Sequence, residues 1–187
     1  MDSSPAVATI TAAARAAGPR CGATTVIAVD GPAGSGKTTL AAQLAPPLQA
    51  QVVHMDDLYE GWDGLAASGE LLREQILLPL QQGYPGCYRR YDWYQERRAE
   101  SHQVHPGGVV LIEGVGSVRE HTREFYAAIV WVQAPDRLRL QRSIARDGPE
   151  AEAPLRRWMS QEREIFEATG TAALADVHLD AWGEISD

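Results

Sequence analysis

Short apolar runs alternate with longer amphipathic stretches along most of this chain. A short apolar run that ends in a turn signal is typical of a buried strand, whereas apolar residues spaced three or four apart are typical of a helix. The apolar runs that predict strands are residues 26–29, 52–55, 109–112, 129–132 and 177–179. Because strands alternate with helices, the pattern predicts an α/β fold with a parallel sheet of about five strands flanked by helices.

Helical spacing fills the intervals between these runs. The predicted helices cover residues 38–44, 69–82, 136–146 and 155–168. Pro46 and Pro47 are expected to end or disturb the first helix, and Pro79 to kink or end the second, because proline removes a backbone donor and crowds the preceding turn. Residues 1–23 form an N-terminal extension, in which residues 7–17 predict either a short helix that stops at Gly18 or a frayed terminus.

A phosphate-binding motif follows the first predicted strand. Residues 31–38 read G-P-A-G-S-G-K-T, a full G-x-x-x-x-G-K-[ST] loop between a strand and a helix. Glycines leave the backbone N–H groups free to surround phosphate oxygens, and the helix N-terminus faces the anion. This context disfavours a chance Gly/Ser turn, so we expect ATP to bind here, with Lys37 at the terminal phosphates and Thr38 on Mg²⁺. The predicted nucleotide contacts are Gly31, Ala33, Gly34, Ser35, Gly36, Lys37, Thr38 and Thr39.

Acidic residues end three of the predicted strands. They are Asp30, the pair Asp56 and Asp57, and Glu113. The carboxyl ends of parallel strands meet at one edge of a sheet, where ligands bind. Magnesium-dependent phosphoryl transfer needs a carboxylate near the metal and, for a hydroxyl acceptor, a second one to take the proton. Glu113 follows four apolar residues, which is the Walker B pattern. Taken alone, the pair Asp56 and Asp57 could equally be a helix cap or a functional site. The phosphate loop upstream favours the functional interpretation.

A series of arginines follows the fourth predicted strand. Arg139, Arg142 and Arg146 have the spacing of one helix face. Such a face is often merely solvated. In a kinase this helix would begin a lid at about residues 137–157, and Arg142 and Arg146 would then close over the transferring phosphate as catalytic groups.

Composition narrows the classes of partner. The chain has 187 residues, enough for the single domain that we expect over residues 1–187. Its 25 acidic and 17 basic residues give a net charge of −8, which disfavours a nucleic acid partner. No apolar stretch has the length of a membrane span, and the two cysteines suit a reducing compartment, so the expected location is the cytoplasm. Association into homo-oligomers is left open.

Several motifs together resemble the uridine kinase family and the related nicotinamide riboside kinases. The matching segments are residues 31–39, 54–59, 91–97 and 109–114, within a resemblance that covers about residues 24–180. It implies that Asp56 is the base for a ribose 5′-hydroxyl and that Glu113 supports magnesium. Glu96 stands where the family has a histidine that reads the pyrimidine, so the resemblance leaves the acceptor open. The expected acceptor contacts are Asp57, Tyr59, Asp63, Tyr91, Trp93 and Arg97.

These features predict an ATP-dependent kinase that transfers the γ-phosphate to a hydroxyl of a nucleoside or nucleoside-like acceptor. One alternative is a kinase for a nucleoside monophosphate, a sugar acid or a vitamin precursor. An acceptor phosphate would need arginines, which Arg89, Arg90, Arg97 or Arg98 could supply. The other alternative is a nucleotide-binding regulatory module, although the sequence contains neither an Asn-Lys-x-Asp nor a Leu-Ser-Gly-Gly-Gln segment.

Overall fold

A computed structural model describes residues 4–186, so residues 1–3 of the predicted N-terminal extension lie outside the described part. Five parallel strands form the main sheet in the order β2-β5-β1-β6-β7. Their bounds are β1 Thr25–Asp30, β2 Gln51–His54, β5 Val109–Glu113, β6 Tyr126–Val132 and β7 Val177–Leu179. The predicted α/β class with a five-stranded parallel sheet flanked by helices is therefore confirmed.

Helices cover both faces of this sheet, which explains why its strands read as continuous apolar runs. One core cluster includes Ile10 and Leu44, and the other includes Leu72 and Trp158. The helices are α1 Pro5–Ala17, α2 Lys37–Leu48, α3 Leu65–Leu72, α4 Leu78–Gln81, α5 Asp136–Asp147, α6 Glu152–Thr169 and α7 Thr171–Leu174. Among residues 4–186, no helix combines the length and the apolar character needed to cross a membrane.

The N-terminal segment is a packed helix and not a frayed terminus. Ser4 caps α1 by accepting a hydrogen bond from the N–H of Val7 at 3.4 Å. Val7, Ile10 and Ala14 are buried along one side of the helix. They join the core cluster that also contains residues of α2 and β6, so α1 is part of the folded body.

Helical structure continues past the prolines that were expected to end or disturb it. Helix α2 continues through Pro46 and Pro47 to Leu48. The carbonyls that lose their N–H partners belong to Ala42 and Gln43, which are exposed, so water replaces the missing hydrogen bonds at little cost.

Pro79 likewise does not end its helix. A π-helical turn, Arg73–Leu77, joins α3 to α4, and Pro79 lies in the first turn of α4. The wider turn shifts the hydrogen-bond register just before the proline ring, which lets the helical segment continue to Gln81.

An antiparallel hairpin, which the apolar pattern did not predict, stands apart from the main sheet. Strands β3 Gly86–Asp92 and β4 Arg97–Val104 form it. Only one face of the hairpin is covered, with Tyr88 and Tyr91 buried. The hairpin contacts the single 3-10 turn Met55–Asp57 that follows β2, and it thereby brings its own turn close to the strand ends of the main sheet.

Candidate active site

The phosphate loop has a backbone that favours glycine at three of its positions, Gly31, Gly34 and Gly36. Gly31 has φ +140° and a Cβ there would lie 2.1 Å from the carbonyl oxygen of Val132. Gly36, at φ +114°, precedes α2 directly. The first N–H groups of α2 have no helical acceptor, so the loop offers donors to an anion. The loop residues Ala33, Gly34, Gly36, Lys37, Thr38 and Thr39 line a cavity of about 680 Å³.

Asp30, one of the acidic residues at the strand ends, binds backbone N–H groups. Its carboxylate accepts hydrogen bonds from the N–H groups of Gly31 at 2.7 Å, Gly116 at 2.8 Å and Val118 at 2.8 Å. The side chain is completely buried. Asp30 therefore ties the start of the phosphate loop to the segment after β5 and leaves no carboxylate oxygen for a ligand.

Glu113 lies beside the first turn of α2. Its Oε1 accepts a hydrogen bond from the hydroxyl of Thr38 at 3.2 Å, and the imidazole Nδ1 of His54 lies 2.6 Å from the same oxygen. That hydrogen bond to Glu113 raises the pKa of His54. A hydroxyl and a carboxylate are the hard oxygen donors that Mg²⁺ prefers, so the two side chains fit this metal.

The side chain of Lys37 folds back against the phosphate loop. Its ammonium donates a hydrogen bond to the carbonyl oxygen of Pro32 at 2.9 Å, and the residue is buried. Burial lowers the pKa of Lys37, while the nearby charges of Glu113 and Asp30 act in the opposite direction. A lysine so placed offers a concentrated positive charge to phosphate oxygens.

The two aspartates after β2 have different surroundings. Asp56 lines the cavity together with Lys37. Desolvation raises the pKa of Asp56, and the charge of Glu113 raises it further. Asp57 does not line the cavity and instead accepts a hydrogen bond from the hydroxyl of Tyr88 at 3.3 Å. Of these two aspartates, Asp56 is therefore the one whose carboxylate faces the cavity above the phosphate loop.

Aromatic side chains wall the cavity near Asp56. The ring centroids of Trp62 and Trp93 are 5.4 Å apart, those of Trp62 and Trp158 6.2 Å, and those of Tyr59 and Trp158 4.8 Å, all edge to face. The indole N–H of Trp93 donates to the carbonyl oxygen of Asp56 at 3.1 Å. Trp158 belongs to α6, and its place in the cavity could not be predicted because it lies in an ordinary helical pattern.

The structure does not bring all the expected acceptor contacts to the cavity. Tyr59 lines it but donates its hydroxyl hydrogen to the carbonyl oxygen of Val115. Tyr91 lies behind Trp93, with ring centroids 5.6 Å apart. Asp63 is exposed and lies 3.5 Å from the amide nitrogen of Gln161, outside the cavity lining. Tyr91 therefore supports the aromatic wall from behind, and Asp63 lies outside the cavity.

The expected arginine contact also lies elsewhere. Arg97 donates to the side-chain oxygen of Gln95 and is exposed on the hairpin. Its neighbour Arg98 is the one that reaches the turn after β2, where it donates to the carbonyl oxygens of Asp57 at 3.1 Å and Leu58 at 3.0 Å. A strand alternates its side chains between two faces, so a shift of one residue changes which arginine faces the site.

Two of the four arginines on α5 line the cavity. Arg142 donates to the carbonyl oxygen of Gly34 at 3.3 Å, and Arg146 pairs with Asp147 at 2.6 Å. The hydrogen bond to Asp147 raises the pKa of Arg146. Both guanidinium groups thus lie at the cavity, where each has a partner in the protein.

Arg139 departs from this shared face and forms a buried brace with Glu162 of α6. The guanidinium lies 2.6 Å from one carboxylate oxygen of Glu162, and the other oxygen accepts the N–H of Ala33 at 2.9 Å. Arg139 also donates to the carbonyl oxygen of Ala33 at 3.0 Å. Burial raises the pKa of Glu162. The Ala33 N–H and Arg139 act in the opposite direction, because they stabilise the ionised carboxylate. The brace therefore binds both backbone polar groups of one phosphate-loop residue, Ala33.

Comparisons with known proteins agree with this geometry. The model of the AAA domain family matches residues 27–167. No curated protein matches the sequence. Among solved structures, one described as a possible uridine kinase from Bacillus stearothermophilus has 25% identity and a TM-score of 0.62, with 83% of this chain and 88% of that chain covered. A proposed fructose transport system kinase from Silicibacter sp. TM1040 has 22% identity and a TM-score of 0.61, with 87% and 94% covered.

The family match covers three quarters of the chain and includes the phosphate loop from its first glycine. The structural neighbours share the arrangement of sheet and helices that carries this loop. Together they support ATP-dependent phosphoryl transfer as the general class of reaction. The chain therefore belongs to the AAA domain family.

Proposed function

We propose that this protein transfers the γ-phosphate of ATP to a hydroxyl group of a nucleoside or nucleoside-like acceptor. The observation that carries the proposal is that one cavity contains the phosphate loop, the carboxylate of Asp56 and an aromatic wall. A phosphate donor and a flat acceptor can therefore meet at a general base. The similarity to the possible uridine kinase, at 25% identity, supports the same conclusion.

Each group has a distinct task in this reaction. The loop N–H groups and Lys37 bind the phosphates, and Arg142 and Arg146 stabilise charge on the transferring group. Thr38 and Glu113 would hold Mg²⁺, which when bound neutralises negative charge on the phosphate oxygens. Asp56 accepts the proton of the acceptor hydroxyl as the new bond forms. Its raised pKa makes it a stronger base than an ordinary aspartate.

The wall favours an acceptor with a flat ring and without a phosphate of its own. Three indoles surround the space beside Asp56, and aromatic faces suit stacking on a planar group. The four arginines that an acceptor phosphate could use line no part of the cavity and bond to the hairpin or its neighbouring turn instead: Arg89, Arg90, Arg97 and Arg98. A nucleoside monophosphate or a sugar acid is therefore the weaker candidate.

Matched acceptor pairs test the proposal. Purified protein is incubated with ATP, Mg²⁺ and either a nucleoside or its 5′-monophosphate, and both ADP and phosphorylated product are quantified. We expect at least one nucleoside-like compound to give product and ADP in equal amounts, and its monophosphate to be inactive. Slow ADP release that no acceptor stimulates would instead indicate a nucleotide-binding regulatory module.

A further inference from the structure

The ion pair between Arg146 and Asp147 lies at the C-terminal end of α5, where both residues line the cavity. The guanidinium donates through Nε to Oδ1 of Asp147 at 2.6 Å and through Nη2 to Oδ2 at 2.7 Å. Two parallel hydrogen bonds of this kind fix the plane of a guanidinium relative to the carboxylate. The pair therefore gives the side chain of Arg146 a defined orientation at the wall of the cavity.

The stability of the fold does not explain this pair. The side chain of Arg146 is 61% exposed and that of Asp147 is 26% exposed, and ion pairs so open to water contribute little to stability. Asp147 is also the last residue of α5, where a carboxylate meets the negative end of the helix dipole. An aspartate at this position therefore needs another reason, and its place in the cavity wall offers one.

The pair leaves one edge of the guanidinium unused. A guanidinium has five N–H donors, of which the pair occupies one on Nε and one on Nη2. Over residues 4–186, Arg146 makes no hydrogen bond besides these two. The edge formed by Nη1 and Nη2 can therefore donate to two oxygens of one phosphoryl group, which is the geometry that guanidinium groups adopt with phosphates.

The α5 arginines that contact the phosphate loop are already engaged by the protein. Arg139 is buried against Glu162. Arg142 donates from Nη1 to the carbonyl oxygen of Gly34 at 3.3 Å and from Nη2 to that of Ala181 at 3.0 Å, so the same edge of its guanidinium binds the backbone. Arg146 differs from both, because its outer edge is free to meet a ligand.

Two further carboxylates attract Arg146. The hydrogen bond to Asp147 is the largest cause of the raised pKa of Arg146, and the negative charges of Asp56 and Glu113 raise that pKa further. An Arg146 without a fixed partner could turn towards Asp56 and neutralise the proposed base, because opposite charges at close range stabilise each other. A carboxylate at Asp147 keeps the guanidinium in place instead.

We propose that Asp147 is a positioning residue, which holds Arg146 by one edge of the guanidinium and turns the other edge towards the transferring phosphoryl group. This inference rests on the proposed function, in which Arg146 stabilises charge on that group. Asp147 itself touches no substrate and acts through Arg146. Its loss reduces the rate more than the affinity for ATP, because a misplaced Arg146 still carries its charge beside the phosphates.

The rate of γ-phosphate transfer to water tests the proposal, because ATP hydrolysis needs no identified acceptor. The full chain is incubated with ATP and Mg²⁺, and kcat and the KM for ATP are measured. We expect Asp147→Asn, which keeps the shape and removes the charge, to lower kcat roughly 10-fold with the KM for ATP within about 2-fold of the parent. Glu152→Gln is the matched control, since it removes a carboxylate from an exposed pair with Arg156 outside the cavity, and it should keep the parental kcat.

A double-mutant cycle shows whether Asp147 acts through Arg146. Arg146→Ala should lower kcat at least as much as Asp147→Asn does. With both substitutions, kcat should equal that of Arg146→Ala alone, because Asp147 then has no arginine to orient. A full further loss in the double variant, or a parental kcat in Asp147→Asn, would overturn the proposal.

The proposed function fails by a different result. A parent protein that hydrolyses ATP but phosphorylates no hydroxyl acceptor contradicts the proposed function, while the cycle still decides the role of Asp147. A parent protein that does neither contradicts both.

Discussion

Variants of the buried pair Arg139 and Glu162 can show separately how the pair affects the stability of the fold and how it positions the phosphate loop. Both side chains are almost completely buried, and together they bind the N–H and the carbonyl oxygen of Ala33. Glu162→Leu leaves the guanidinium of Arg139 with the carbonyl oxygen of Ala33 and, as its remaining carboxylate partner within the described residues, the exposed Asp136. Removing one partner of a buried pair costs about 3–5 kcal/mol, so we expect the free energy of unfolding to fall by about that amount.

Removing both charges should behave differently. In the double variant Arg139→Leu with Glu162→Leu no unpaired charge remains, and the residual cost is the unpaired peptide at Ala33, about 1–3 kcal/mol. We therefore expect the double variant to be more stable than Glu162→Leu alone. Its ATP affinity should nevertheless stay roughly 10-fold below that of the parent, because the loop has lost the groups that position it.

Two measurements check this prediction. Urea unfolding of the parent, both single variants and the double variant gives the coupling free energy of the pair. Calorimetry with ATP gives the affinity of each variant. The reasoning is refuted if the double variant is less stable than Glu162→Leu, or if it binds ATP as tightly as the parent.

Four further outcomes follow from the site. Lys37→Ala should lower the rate of phosphoryl transfer roughly 10²-fold in a protein with unchanged circular dichroism, and a parental rate would remove Lys37 from catalysis. Glu113→Gln should lower the rate and raise the Mg²⁺ concentration needed for half-maximal activity, whereas a magnesium titration that overlays the parent's would make Glu113 only a strand-end residue. Trp93→Ala should raise the acceptor KM roughly 5- to 10-fold with the ATP KM unchanged, and an effect on ATP alone would place the acceptor elsewhere. Because the pKa of Asp56 is raised and the base must be ionised, kcat/KM for the acceptor should fall with decreasing pH at a higher pH than an ordinary aspartate allows; a rate that stays flat down to the pKa of a free aspartate, about 4, would contradict this.

The main sheet could be predicted from the sequence because its strands are buried on both faces. Their apolar runs needed no knowledge of tertiary contacts, and the strand-to-helix context of residues 31–38 placed the phosphate loop at the sheet edge. The positions of Asp56 and Glu113 followed from the same rule, since parallel strands end at one edge. The structure indeed places both side chains around the cavity.

The hairpin could not be predicted in the same way. Only one face of β3 and β4 is covered, and the polar side chains of Arg89, Arg90 and Glu100 obscure the period of two. Without the hairpin, nothing in the sequence distinguishes Arg97 from Arg98 as the residue that reaches the turn after β2. Tyr91 was expected at the acceptor because residues 91–93 resemble the uridine kinase family there, and that resemblance does not show which side chain of the hairpin faces the cavity.

Contacts between residues that are distant in the sequence also could not be predicted. The ring centroids of Trp158 and Tyr59 are 4.8 Å apart, although the two residues are far apart in the sequence. Glu162 has the helical spacing of a solvated acid, and only the packing of α6 against α5 shows that it is buried beside Arg139. Such pairs depend on tertiary packing, which local periodicity does not encode.

The central claim is that Asp56 takes the proton of an acceptor hydroxyl during phosphoryl transfer. The most direct measurement compares Asp56→Asn with Asp57→Asn, using product formation with the best acceptor found and ATP affinity by calorimetry. We predict that Asp56→Asn lowers phosphoryl transfer roughly 10²- to 10⁴-fold with ATP affinity nearly unchanged, and that Asp57→Asn does much less because Asp57 pairs with Tyr88 outside the cavity. If Asp57→Asn abolishes transfer while Asp56→Asn retains it, or if neither variant changes the rate, the account is contradicted.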